Sequence, residues 1–269
     1  MFWNAKNGKI ALDGTSMSYV RFGHGPKTLV ILPGLGDGLT TVKNKALLLA
    51  RPYTRFFDSF TIYLFSRRDE LPDGCSIRDM ARDQARALAA LGLSRVSVLG
   101  VSEGGMIAQF LAVDHAPLVE KLVLAVTAPR PCAETRALIE RWIALAGQGE
   151  HKALMIDTAE HSYTGPYLEK YRKIYPLLGH IGKPKDYRRF LVNARAILSF
   201  DAYAELPRIQ CPTLVIGGGE DKIVGPEAAR ELAGQIPGCE LLIYDALGHA
   251  AYEEASDFND RVFEFLETH

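Results

Sequence analysis

At 269 residues with 48% hydrophobic side chains, the chain is long enough to bury one large core, and α/β domains reach this size without dividing. Its 31 Lys and Arg against 32 Asp and Glu leave a formal net charge of -1, so no long-range field draws nucleic acid or an anionic membrane, and neither is expected as a partner. Residues 1–10 lack the charged start and apolar stretch of a secretory leader, and no apolar run approaches the ~20 residues of a spanning helix. Four scattered cysteines (Cys75, Cys132, Cys211, Cys239) form no Cys-x-x-Cys pair, which predicts buried thiols in a cytoplasmic chain rather than a zinc site or a disulfide framework.

Along the chain, short apolar runs bounded by Gly, Pro and Asp alternate with longer stretches of helical spacing, the pattern of strands and crossover helices in a mostly parallel sheet. Strands are predicted at residues 16–22, 28–32 and 61–65. The second leads into Leu32-Pro33-Gly34-Leu35-Gly36-Asp37-Gly38, a glycine-rich loop with neither the Gly-x-Gly-x-x-Gly nor the Lys-Ser/Thr ending of a phosphate cradle. A helix follows, with Ser76 as cap, Asp79 completing a capping box, an apolar face of Met80, Ala81, Ala85, Leu88 and Leu91, and Gly92 as its end.

The next apolar run, Val96-Ser97-Val98-Leu99, leads into Gly100-Val101-Ser102-Glu103-Gly104 and then into helical spacing at Met106, Ile107, Phe110 and Leu111. That is the context of a nucleophile elbow, in which a serine sits on a strained strand-to-helix turn and glycines flank it where side chains would collide. As a bare pattern the pentapeptide is weak, and a glycine-rich turn is its alternative. Another buried strand is predicted at 120–126.

From residue 131 to 207 helices follow one another without strands. We read 131–207 as a helical cap inserted into a core domain formed by 1–130 and 208–269. The insertion holds six of the eleven tyrosines, and Tyr163, Tyr167, Tyr171 and Tyr175 recur every fourth residue. Tyr167, Tyr171 and Tyr175 then share one side of a helix opened by Pro166 and stopped by Pro176, where packing of the cap is favoured over substrate lining. Arg188 and Arg195, seven apart among Lys183, Lys185 and Arg189, form either a solvated face or, through Arg188, a grip for a substrate carboxylate. Strands resume at 213–216 and 240–244, and Ser256 caps a last helix with Phe258, Val262, Phe263 and Leu266.

A serine hydroxyl is a weak nucleophile at neutral pH, so the elbow has meaning only with a general base and a carboxylate to orient it. Both follow late strands. The loop Gly217-Gly218-Gly219-Glu220-Asp221 would carry an acid at the carboxyl edge of the sheet, and Leu247-Gly248-His249-Ala250 offers a base. Glu220 competes with Asp221, and Asp245 competes weakly from a turn position. Of the other histidines, His24 sits in a turn, His115 follows a helix, His151, His161 and His180 fall in the insertion, and His269 is the terminus. His151, Asp157 and His161 are six and ten residues apart with no His-Glu-x-x-His run, so no metal is expected.

With serine, aspartate and histidine in this order, the chain resembles the α/β-hydrolase fold superfamily over nearly its whole length, and is similar to its capped esterase and enol-lactonase group. The resemblance implies an eight-stranded, mostly parallel sheet with a helical cap inserted after the sixth strand. It assigns Ser102 as nucleophile, His249 as general base and then acid, and Asp221, followed by the β-branched pair Ile223 and Val224, as the orienting acid. It gives the oxyanion to the backbone amides of Glu103 and Leu35, with Pro33 standing where most relatives carry histidine. The Glu103 carboxylate either meets a cationic substrate group or turns into the first helical turn, where negative charge is favoured.

The expected activity is therefore hydrolysis of a small-molecule carboxylic ester, thioester or lactone through an acyl-enzyme, without a cofactor. Carbon-carbon bond hydrolysis or an elimination on the same triad is the second reading. A non-catalytic ligand receptor is the alternative of another class. No heptad or exposed apolar stripe fixes an oligomeric state.

Overall fold

The computed structural model describes residues 2–268, so Met1 and His269 lie outside the described residues. The alternating pattern becomes, in chain order, β1 (Lys6–Leu12), β2 (Thr15–Gly23), β3 (Lys27–Leu32), α1 (Ala46–Ala50), β4 (Phe60–Arg68), α2 (Ile77–Ala90), β5 (Val96–Val101), α3 (Glu103–Asp114) and β6 (Val119–Ala125). Between β6 and the next strand run α4 (Ala133–Gly147), α5 (His151–Ser162), α6 (Gly165–Arg172) and α7 (Arg188–Leu198). The chain closes with β7 (Thr213–Gly218), α8 (Ala228–Gln235), β8 (Glu240–Tyr244), α9 (Ala251–Glu254) and α10 (Phe258–Thr268).

The strands form one eight-stranded sheet of order β1-β2-β4-β3-β5-β6-β7-β8. Only the pairings of β2, with β1 and with β4, are antiparallel, while β4 through β8 pair parallel. This is an α/β-hydrolase fold. Its central strands are apolar on both faces because helices cover both. Val30, Leu32, Val98, Leu122 and Leu124 pack beneath α2 and α3, and Leu29, Ile31, Leu99, Val123 and Ala125 pack against α10 and the region around α1.

One strand falls outside the predicted set. β1 buries only Ile10 and Leu12 among exposed polar residues, an alternation too short to stand out in a polar N-terminal segment. Of the four cysteines expected to be buried only Cys75 is, with Cys132 exposed, whereas the predicted cap of α2 forms. Ser76 Oγ accepts from the Asp79 amide and Asp79 Oδ2 accepts from the Ser76 amide, both at 3.1 Å, as a capping box requires. The tyrosine-rich helix ends sooner than expected, at Arg172 rather than near Pro176. Tyr175 instead opens a short 3-10 turn and donates its hydroxyl to Glu160 at 2.9 Å.

The strand order determines where a site can form. β3 pairs with β4 on one side and β5 on the other, so the chain reverses direction across the sheet between them. Loops leaving the carboxyl ends of β3 and β5 therefore diverge and leave a crevice, the usual ligand position in open α/β sheets. The two loops are residues 33–38 and the turn at Ser102. Among the described residues, no helix is long and apolar enough to cross a membrane.

Candidate active site

β5 enters α3 through Ser102 alone, which takes φ 54° and ψ -120°, a conformation that costs a non-glycine residue about 1 to 3 kcal/mol. The surroundings hold it there. The Ser102 amide donates to Ala125 O at 2.9 Å, and its carbonyl accepts from the Gly105 amide at 2.8 Å and from Thr127 Oγ1 at 2.7 Å. Glycine is required on both sides for lack of space. A Cβ at Gly100 would lie 2.6 Å from Gly104 O, and one at Gly104 would overlap the Leu32 carbonyl oxygen.

Two loops from the far half of the sheet converge on this turn. His249, after β8, lies with Nε2 at 2.9 Å from Ser102 Oγ and Nδ1 at 2.9 Å from Asp221 Oδ2. A carboxylate only accepts, so Nδ1–H donates to Asp221 and leaves Nε2 free to accept the serine proton. Asp221, after β7, is 3% exposed, and its Oδ1 accepts from the Ile223 and Val224 amides at 2.8 and 3.0 Å. Glu220 and Asp245, the competing acids, are both exposed. The Ala250 amide donates to Ser162 O at 2.9 Å, which ties the histidine loop to the end of α5.

The loop after β3 completes the arrangement. Gly34 passes so close that a Cβ on it would lie 3.3 Å from Ser102 Cβ, and Leu35 opens a 3-10 turn, Leu35–Gly38. Leu35 and Glu103 are thus both first residues of helical turns beside Ser102, where amides lack an intrahelical acceptor. Ser102, His249 and Leu35 line a cavity of ≈ 640 Å³ between the sheet edge and the helices of 133–198. Its walls are largely apolar, with Leu64, Met106, Ile139, Trp142 and Val224 among them. Polar character comes from Tyr53, Tyr163, Tyr171, Lys45 and Glu253. Burial pushes the Lys45 ammonium down from its ordinary range, opposed by the attraction of Asp37.

The predicted substrate contacts divide. Tyr171 lines the cavity, with its hydroxyl 2.8 Å from that of Tyr163, which in turn donates to Glu253 at 2.7 Å. Tyr167 does not reach the cavity. It stacks on Tyr163 at 6.2 Å and extends its hydroxyl toward Glu253 O. Arg188 is also elsewhere, in an exposed pairing with Glu70 and Asp73 at 3.7 and 3.6 Å, because the first turn of α7 directs it outward. The Glu103 carboxylate is fully buried and away from the cavity wall. α3 is enclosed by the sheet, so its first side chain meets Arg67 of β4, whose Nη2 donates to Oε2 at 2.8 Å. Burial pushes the Glu103 carboxyl up, against the lowering pull of that guanidinium.

Sequence reasoning missed Tyr163, Lys45 and the charges around Glu103. The available signal was Arg67 itself, a cation two residues beyond the apolar run at 61–65. Asp157, considered with His151 and His161, is occupied by Trp142 Nε1 at 2.8 Å and Arg141 at 2.7 Å, and His151 Nε2 lies 2.9 Å from Ile181 O. Among the described residues, no group of three or more His, Cys, Asp or Glu is placed to hold a metal ion.

The pattern of the alpha/beta hydrolase family matches residues 29–263. The chain belongs to that family. This alpha/beta hydrolase is 26% identical, over 89% of its own length and 90% of the other's, to a protein provisionally named carbamate hydrolase RutD from Caulobacter sp. (strain K31). It is 25% identical to a 2-hydroxy-6-oxononadienedioate/2-hydroxy-6-oxononatrienedioate hydrolase from Pseudomonas sp, over 91% and 89% of the two chains. Among solved structures it is similar to the enol-lactonase from Burkholderia xenovorans LB400, with a TM-score of 0.80, 25% identity and coverage of 96% of this chain and 99% of that one.

Proposed function

We propose that this alpha/beta hydrolase is a serine hydrolase that cleaves a carboxylic ester, thioester or lactone through an acyl-enzyme, with residues 131–207 as its cap. The observation that carries the reading is the unbroken relay from Ser102 through His249 to Asp221, opening on one apolar cavity. Ser102 Oγ attacks the carbonyl carbon as His249 Nε2 takes its proton, and Asp221 stabilises the imidazolium through Nδ1–H. The amides of Leu35 and Glu103 hold the negative oxygen of the tetrahedral intermediate, a task for which one donor is worth roughly 3 to 4 kcal/mol. His249 then returns the proton to the leaving group, and a water repeats the sequence in reverse. The cavity walls favour an acyl or leaving group that is mainly apolar.

A receptor would have no use for a strained serine aligned with a histidine and a buried acid, which supports catalysis over binding alone. The test is reaction with a fluorophosphonate probe and turnover of an ester, thioester and lactone panel. Ser102 is expected to be the labelled residue, and Ser102→Ala should lower turnover by roughly 10⁴ or more with its thermal midpoint unchanged. Near-normal turnover by that variant would overturn the assignment.

Carbon-carbon bond hydrolysis is the second reading, favoured by the oxo-dienedioate hydrolase among the relatives, whose substrate by name carries a ketone rather than an ester. The carbamate hydrolase name fits the same acyl transfer with a carbamoyl group. Solvent oxygen enters the product acid in both, so the two are separated by offering an ester and a vinylogous diketone side by side and identifying which is cleaved and into which products.

A further inference from the structure

Beneath the serine lies a chain of four charges that the relay does not use. Arg67, on β4, donates its Nη2 to Glu103 Oε2 at 2.8 Å and its backbone amide to Asp37 Oδ2 at 2.9 Å. Arg189, on α7, donates Nη2 to the same Asp37 oxygen at 2.6 Å and to the Arg67 carbonyl at 3.0 Å, and Nη1 to the Asp37 carbonyl at 2.9 Å. The side chains of Arg67, Asp37 and Glu103 are 1%, 1% and 0% exposed, and that of Arg189 is 14% exposed. Two cations and two anions balance, so the cluster needs no counterion.

Its position gives it a role. Asp37 belongs to the 3-10 turn that Leu35 opens, and Glu103 is the first residue of α3, so the cluster grips both turns whose first amides flank Ser102. Gly38 lets α7 settle on the turn, since a Cβ there would lie 2.8 Å from Phe190 Cα. Arg189 then bonds a backbone carbonyl on each side, in the turn and in β4. A guanidinium fork can hold all three acceptors at once, which a lysine ammonium does with less geometric definition.

We propose that Arg189, Asp37, Arg67 and Glu103 form a positioning network through which the cap sets the spacing of the two amides that receive the oxyanion. The inference rests on the proposed roles of Ser102, Leu35 and Glu103. Hydrogen bonds aimed at a developing charge lose much of their effect when displaced by about 1 Å, so a loosened turn should slow chemistry more than it weakens substrate binding. Arg189 is therefore a positioning residue and Asp37 its anchor.

The test compares the full-length wild type with Arg189→Met and Arg189→Lys on one activated ester. It also measures affinity for a boronic acid, which forms a tetrahedral adduct on the serine, and for the product carboxylic acid, which does not. Arg189→Met is expected to lower kcat about 10- to 100-fold with KM within about threefold, and to weaken the boronic acid but not the product acid. Arg189→Lys should recover part of the kcat. Because the lysine keeps the charge opposite Asp37, it remains decisive if the methionine variant does not fold. A kcat within twofold of wild type in a folded variant, or a loss confined to KM, overturns the network's role. Failure of Ser102 itself is visible separately, as wild-type enzyme that neither reacts with a fluorophosphonate nor binds the boronic acid.

Discussion

At the carboxyl edge of the sheet, Ser102, Asp221 and His249 each follow closely on the end of a strand; backbone amides within three residues hold Ser102 and Asp221, while the histidine loop is tied to the end of α5. In the helices of 133–198, polar side chains are distributed along cylinders, and their partners lie on other helices or on the body. Trp142 meets Asp157, Arg172 meets Glu160, and Arg189 meets Asp37. In the first region the backbone path dictates where a side chain goes. In the second, a rotation of 100° per residue decides it, and neighbours in sequence can have opposite environments.

The largest expected effect sharpens that contrast at the sheet edge. Asp221→Asn keeps the size of the side chain but places an amide donor or a neutral acceptor opposite Nδ1, so His249 is no longer fixed in the tautomer that accepts the serine proton. Turnover should fall by roughly 10⁴ while the fold persists, by analogy with the corresponding change in other triads. Steady-state rates with the activated ester check this. Activity above about a tenth of wild type would mean that the local backbone, without the charge, suffices to orient the base.

The same contrast explains how much could be read from sequence. The elbow, the late acid and the late histidine follow strands whose apolar runs are visible, and short connections leave little freedom between a strand end and a side chain one to five residues on. The sheet with its parallel centre was legible for the same reason. The partner of Glu103 was not, because Arg67 is 36 residues away and the contact exists only through the pairing of β3 with both β4 and β5. Nor did a basic stretch in α7 reveal which arginine is inward. Arg188 and Arg189 differ by one position, and only the docking of Phe190 against Gly38 decides between them.

The cavity rim, where Tyr53 and Tyr163 both feel the Glu253 carboxylate, offers a smaller effect of defined sign. Burial, reinforced by the Glu253 carboxylate, pushes the Tyr53 hydroxyl up to about 12. A phenol whose folded value lies above its unfolded value of about 10 contributes stability that is intact below pH 10 and is lost as pH rises toward 12. Tyr163, which follows α5, is raised by burial and by the same carboxylate. Tyr53→Phe should therefore show a shallower loss of stability between pH 10 and 12 than wild type, measured as urea midpoints. Identical slopes would mean that the rim opens before the phenol ionises, and that the helices of 133–198 part easily from the sheet there.

Arg188→Ala is the smallest effect and the most direct probe of the inward and outward faces of α7. Its partners Glu70 and Asp73 are 76% and 82% exposed, and ion pairs of this kind contribute at most about 1 kcal/mol. With no contact to the cavity, the substitution should leave kcat and KM unchanged for neutral and acidic esters alike, in contrast to the loss expected one residue on. A tenfold rise in KM confined to acidic esters would show that α7 rotates when substrate binds, carrying Arg188 inward. It would also move Arg189 off Asp37, so the same rotation would have to disturb the amides beside Ser102. Comparing the two arginines on one substrate pair thus separates an α7 that is fixed on the turn opened by Leu35 from one that rotates over it.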